Sequence, residues 1–367
     1  VATDRRAMAI FDWRLAASAT LLATLSVALM YSTNGGANAS LLRKPLYLRQ
    51  ATWGLLGLGA MIALSRMHYR MVARLAYLFY GVTLTALILV AFIGRSGLGA
   101  QRWLSLGPIS FQPSEFMKLA LILALARYFD DRKAEPHTPR ILVLPVFLTL
   151  VPAAFILRQP DLGTALLILL TSASIIVLIG LKMRTFMYLA VASSAVAPLL
   201  WGFLRDYQKN RFLAFLNPGL DPMGSGYHIA QSKIAVGSGG LLGKGWMAAT
   251  QSQLHFLPAN HTDFIFAGLA EQWGFIGCLG LLLLYAYIFS KGLRLARDAR
   301  DPFTLVTSFG IVSMMALQVV INVGMVTGIM PIVGIPLPLL SYGGSSLLTN
   351  MLAIGLLLNI KMQRFMY

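Results

Sequence analysis

Ten stretches of this chain are apolar enough to lie in a lipid bilayer. They run at roughly 15–31, 46–64, 72–93, 113–129, 141–157, 162–181, 185–204, 263–289, 303–328 and 339–360. A span needs about 20 mostly apolar residues, and the fourth and fifth stretches fall short of that. Composition agrees. Only 12% of the 367 residues are charged and 57% are hydrophobic, with a mean hydropathy of +0.71, whereas a soluble chain carries about 25% charged residues. Lipid leaves backbone polar groups nothing to bond to, so helices or a closed barrel are the solutions open to it. No alternating strand pattern is evident. The expectation is an all-α polytopic membrane protein of about ten transmembrane helices. It forms one domain over 1–367, and its largest break, 205–262, is a loop between the seventh and eighth helices. No small-residue cleavage site follows the first apolar stretch, so no cleaved leader is expected.

Arg and Lys indicate direction. With the N-terminus inside, the short inner loops carry more of them than the outer ones, so both termini are expected in the cytoplasm and the long loop outside. The net charge of +17 suits an anionic inner leaflet. The charge is dispersed among membrane loops, which argues against nucleic acid as a partner. Cys278 is the single cysteine and supports no disulfide framework. His228, His255 and His261 are too scattered for a zinc site.

The acids are more telling. Glu115, Asp161 and Asp263 all fall at the outer ends of expected spans, and Glu271 lies about two turns inside one. A charge next to hydrocarbon is expensive and faces a partner or a cavity. Each has a plain structural explanation. Thr262 can cap the eighth helix, with Asp263 in its first turn. Ser114 can cap the helix of "SEFMK", where Glu115 and Lys118 share a face and can pair. Arg158 can neutralise Asp161. Those explanations do not account for three acids at one level, which point to a polar cavity opening outward. Basic residues accompany them on that side: Arg49, Arg95, Arg102 beside the amphipathic Trp103, Arg211, Lys233 and Lys244. The glycines of "KIAVGSGGLLGKGW" are either a flexible loop or an anion cradle.

Five stretches carry a resemblance: "GAQRWLSLGPISFQPSEFMKLALI", "QPDLGTALL", "RFLAFLNPGLDPMGSGYHIAQSKIAVGSGGLLGKG", "LPANHTDFIFAGLAEQWGFIG" and "GIMPIVGIPLPLLSYGGSS". In this order they resemble the signature stretches of the SEDS family (shape, elongation, division, sporulation). The last is closer to the rod-shape elongation branch than to the division branch. The resemblance implies ten transmembrane helices with a large extracellular loop between the seventh and eighth. It also implies a glycosyltransferase that polymerises lipid II at the outer face of the bacterial cytoplasmic membrane, beside a class B penicillin-binding protein that acts as transpeptidase. Asp263 matches the aspartate of the family's "HTDF" stretch, taken to be catalytic. Glu115 and Lys118 match its cavity-lining pair, Asp161 the acid of "QPDLGT", and Arg102 with Trp103 its "RW". Ala259 and Gln272 stand where many members carry acids, so no role passes to those two positions.

The implied chemistry gives Asp263 a task. An acceptor hydroxyl must lose its proton as it attacks the donor's anomeric carbon, and a carboxylate at the membrane boundary can take it. Arg49, Arg102, Lys118 and Lys233 are candidates to oppose the charge that builds on the departing polyprenyl diphosphate. No cofactor is assigned. Assistance from a divalent cation such as Mg or Mn is left open. Two other classes stay in view: a lipid II flippase, which the cavity alone would fit, and a scaffold that recruits a penicillin-binding protein.

Overall fold

The computed structural model describes residues 11–33, 45–97, 100–106, 109–132, 139–179, 202, 206–217, 224–253, 256 and 261–364. Among them are helices α1 (Trp13–Thr33), α2 (Leu46–Arg66), α3 (Tyr69–Ile93), α4 (Pro113–Asp131), α5 (Val143–Arg158) and α6 (Leu162–Leu178). Then follow α7 (Asp206–Leu216), α8 (Ser225–Ser238), the short α9 (Thr250–Gln253), α10 (Ile265–Arg297), α11 (Pro302–Val326) and α12 (Gly344–Arg364). Five of these, α1, α3, α10, α11 and α12, are long and apolar enough to cross a membrane, and α5 and α6 are shorter apolar helices. The chain is thus a predominantly helical, multi-pass membrane protein. Of the ten expected spans, nine coincide with helices, and the seventh, 185–204, falls outside the described residues apart from Gly202.

Between α3 and α4 the described residues add a small three-stranded antiparallel sheet to the helical fold: β1 (Arg95–Gly97), β2 (Ala100–Leu106) and β3 (Ile109–Phe111). Trp103 lies opposite Arg95, and Leu104 opposite Phe111. The strands are only three to seven residues long, too short for alternation to stand out from a loop.

Helix α4 is the centre of the molecule. Its residues from Pro113 to Phe129 are buried except Phe116 and Arg127, and it packs on α3, α5, α11 and α12. Among the described helices, α2 and α12 share the most extensive contact. A Cβ on Gly57 would come within 2.9 Å of Met351, and one on Gly355 within 2.8 Å of the Met61 carbonyl. Small residues at facing positions let helices approach where no hydrophobic effect drives them together.

Helix α10 is broken at Gly274, whose φ of 63° and ψ of −160° lie outside helical space and suit a residue without Cβ. The glycine-rich loop 239–249 fills the break. Phe275 N–H donates to the Gly240 carbonyl (2.9 Å), and Gly245 N–H to that of Gln272 (3.0 Å). Glu271, fully buried, accepts from Lys244 Nζ (2.7 Å), Thr250 Oγ1 (3.0 Å) and Gln251 N–H (3.1 Å). Lys244 is thereby turned toward a carboxylate of its own chain.

Candidate active site

Where α4, α6 and α10 begin, the helices surround a cavity of about 540 Å³. Its wall includes Glu115 from α4, Asp161 from the cap of α6, Arg102 and Trp103 from β2, Arg211 from α7, and Asp263 ahead of α10. The connection from α11 to α12 closes it with Ile332, Gly334 and Tyr342, and the first turn of α12 adds Ser346. The three acids expected at one level do share one cavity.

Each is placed for a local reason. Asp161 caps α6: its carboxylate accepts from Thr164 N–H (3.2 Å) and Thr164 Oγ1 (3.0 Å). Arg102 is the cation beside it, 3.8 Å away. Arg158 points outward and is exposed, so the neutralising partner comes from the sheet and not from the neighbouring turn. Arg102 also donates to the carbonyls of Gln159 (3.1 Å) and Pro160, and Gln112 Nε2 donates to Asp161 (3.3 Å). Arg102 is therefore committed to holding the α5–α6 turn as much as to lining the cavity.

Glu115 and Lys118 pair at 2.9 Å, with side chains 4% and 3% exposed. Glu115 reaches the cavity wall, while Lys118 lies behind it and is no part of the lining. Ser114 does not cap α4. The helix starts one residue earlier, at Pro113, and its cap residue Gln112 makes no side-chain cap bond; proline suits the first helical position because it has no N–H to satisfy there.

Thr262 is not at the cap position of α10 either. Helix α10 begins at Ile265, its cap residue Phe264 makes no side-chain bond, and Asp263 precedes the span. Asp263 is half-buried in the cavity wall. Loss of solvent pushes its carboxyl up to about 6; Arg211 is the largest opposing influence, Asp161 adds to the rise, and Arg102 counters it. Across from it is Gly334, whose φ of 74° favours glycine; a Cβ there would come within 3.4 Å of Asp263 Oδ2.

Arg49 and Lys233 are not brought to this wall. Arg49 is exposed in the first turn of α2, and Lys233 is exposed on α8, lying across Gly328 at the end of α11. Arg211, expected only as one of the outer-side basic residues, and Gln112 also line the wall; they sit inside the stretches "RFLAFLNPGL" and "QPSE". Among the described residues, no three His, Cys, Asp or Glu side chains gather as a metal-ligand set.

A multi-pass helical membrane protein with a charged, acid-lined cavity at one membrane face is the class that this fold and site define. The chain belongs to the cell cycle protein family of FtsW, RodA and SpoVE, whose model matches residues 12–365. Peptidoglycan glycosyltransferase MrdB of Escherichia coli K12 is 43% identical over 312 residues, covering 85% of this chain and 84% of that protein. Stage V sporulation protein E of Bacillus subtilis is 40% identical over 284 residues, 76% of this chain and 75% of its own. Among solved structures, a chain from work on the structural coordination of polymerization and crosslinking by a peptidoglycan synthase complex matches with a TM-score of 0.80. It is 33% identical, with 97% of this chain and 99% of that chain covered. The Thermus thermophilus rod shape determining protein RodA matches with a TM-score of 0.72 at 32% identity, covering 97% of this chain and 98% of that one.

Proposed function

We propose that this chain builds glycan strands by inverting sugar transfer inside the cavity, with Asp263 as general base. It is a peptidoglycan glycosyltransferase of the rod-shape elongation type, and its substrate is lipid II. The acceptor hydroxyl gives its proton to the Asp263 carboxylate while its oxygen bonds the donor's anomeric carbon. The bond from that carbon to the diphosphate breaks, and the electron pair leaves with the polyprenyl diphosphate. One displacement turns an α-linked donor into a β-linked product. Asp263 acting as covalent nucleophile would retain the configuration. A base near pH 6 is mostly ionised at neutral pH yet basic enough to accept a proton.

Arg211 and Arg102 oppose the charge that develops on the diphosphate. Glu115 and Asp161 line the path of the sugars, Trp103 offers them an apolar face, and Lys118 fixes Glu115. The remaining two cations, Arg49 and Lys233, meet lipid headgroups or the polyprenyl diphosphate at the rim. No step is assigned to a divalent cation. The whole chain forms one transmembrane domain in the bacterial cytoplasmic membrane, both termini inside and 205–262 on the outer face. A class B penicillin-binding protein crosslinks the product beside it.

The observation that carries this reading is the convergence of Glu115, Asp161 and Asp263 with Arg102 and Arg211 on one cavity from five separate elements. The test is polymerisation of purified lipid II by purified protein, with and without the partner. Asp263→Asn keeps the shape but cannot take the proton, so glycan formation should vanish while lipid II binding survives. Wild-type glycan yield from Asp263→Asn would remove Asp263 from the chemistry.

A further inference from the structure

Three consecutive carbonyls ahead of α10 are held by α11 and by the connection that follows it. Tyr342 N–H donates to the His261 carbonyl (2.8 Å), Ser341 Oγ to that of Thr262 (2.6 Å), and Asn322 Nδ2 to that of Asp263 (2.9 Å). That connection is itself cross-braced. Asn322 Nδ2 also donates to the Ile335 carbonyl (2.8 Å), Leu337 N–H donates to Ser341 Oγ (2.8 Å), and Gln50 Nε2 donates to the Ser341 carbonyl (3.2 Å).

Two features make Asn322 more than packing. It is fully buried in α11, inside an apolar bundle where an unbonded amide is costly. Its NH₂ group supplies two donors from one small neutral group, and both are used, on segments far apart in sequence. Its Oδ1 meets no donor among the described residues. The residue thus serves through its donors alone. The residue at the cap position of α10, Phe264, makes no side-chain bond to the helix start.

We infer that Asn322 and Ser341 are positioning residues for the transfer: they clamp the main chain at Thr262–Asp263 so that the carboxylate faces the cavity across Gly334. The inference rests on Asp263 being the base. A displacement of the base by about 1 Å can slow a reaction on the order of 100-fold without changing what binds.

The test measures kcat and KM on purified lipid II, across pH, for Asn322→Leu, Ser341→Ala, Ser341→Thr and Asp263→Asn, with lipid II affinity as the check of folding. Asn322→Leu and Ser341→Ala should lose about 10- to 100-fold in kcat. Their KM should stay within about threefold, the mark of an interaction that matters in the transition state. The rising limb of kcat against pH should move in both, and Ser341→Thr, which keeps the hydroxyl, should recover most of the rate. If Asn322→Leu does not fold, the Ser341 pair decides alone. Wild-type kcat in Ser341→Ala overturns the clamp, as does an equal loss in Ser341→Thr. Should that happen while Asp263→Asn is inactive, the base assignment stands. Activity in Asp263→Asn overturns the base assignment instead.

Discussion

The Glu115–Lys118 pair permits a quantitative test. The charges are 2.9 Å apart and almost fully buried, in the helix around which the others pack. Removing one partner from such a pair costs about 3–5 kcal/mol, because the remaining charge is stranded, whereas replacing both by uncharged groups of similar volume is often neutral. Glu115 also borders the cavity, where water can reach it, so the lower end, about 3 kcal/mol, applies to Lys118→Met. Glu115→Gln leaves Lys118 behind the wall, away from that water, and should cost more. The double variant should recover to within about 1 kcal/mol of wild type, giving a coupling above about 2 kcal/mol. The assay is denaturant unfolding of all four proteins in one lipid-nanodisc preparation, followed by near-ultraviolet circular dichroism. Singles that each cost less than about 1 kcal/mol, or a double as unstable as their sum, would refute the argument. Glycan synthesis on the same proteins adds a second readout. A stable but slow double variant would mean that the charges serve turnover as well as folding.

Because the carboxyl of Asp263 sits near 6, kcat should fall about tenfold between pH 7 and pH 5 as the base is protonated. The stability sign is opposite. An acid raised above its unfolded value binds its proton more tightly when folded, so it costs stability above pH 6, and that cost fades as pH falls from 6 toward 4. Asp263→Asn should therefore be inactive yet more heat-resistant than wild type at pH 7.5, and a lower melting temperature would contradict this. Gly334→Ala places a Cβ in left-handed backbone at a cost of about 1–2 kcal/mol and sets it in van der Waals contact with Asp263 Oδ2, so relief of the strain moves the wall facing the carboxylate. It should lower both melting temperature and kcat; unchanged kcat would show that the carboxylate has room. At the opposite face, Asp12 bonds Lys361 (2.5 Å), Lys291 (3.4 Å) and Leu15 N–H (3.2 Å). Burial pulls its carboxyl upward, but these partners hold it below its usual range. Its stabilisation is complete above pH of about 4 and is lost on further acidification. Asp12→Asn should melt lower than wild type at pH 7, with the difference shrinking in acid.

The spans were legible because lipid imposes one rule along the whole chain: twenty apolar residues need no knowledge of their neighbours. The acids were legible for the same reason, since a carboxylate next to hydrocarbon requires an explanation wherever it occurs. What the pattern could not supply was the partner. Asp161 takes Arg102, 59 residues away in sequence (161 − 102), in preference to nearby Arg158, because the short sheet carries Arg102 across the mouth of the α5–α6 turn. Glu271 takes Lys244 because a break at Gly274 admits the loop. Asn322 was harder still. It sits in "MMALQVVINVGMV", where it is one of two amides, with Gln318, among apolar residues and nothing marks it out. Its partners are backbone carbonyls, which every residue possesses, so no pairing of side-chain types could point to them. Only the return of α11 and the 331–343 connection against residue 263 turns that amide into a clamp. Its role is to be sought in the rate at a given pH, because a donor that grips the main chain acts through the group it holds and need not touch the substrate.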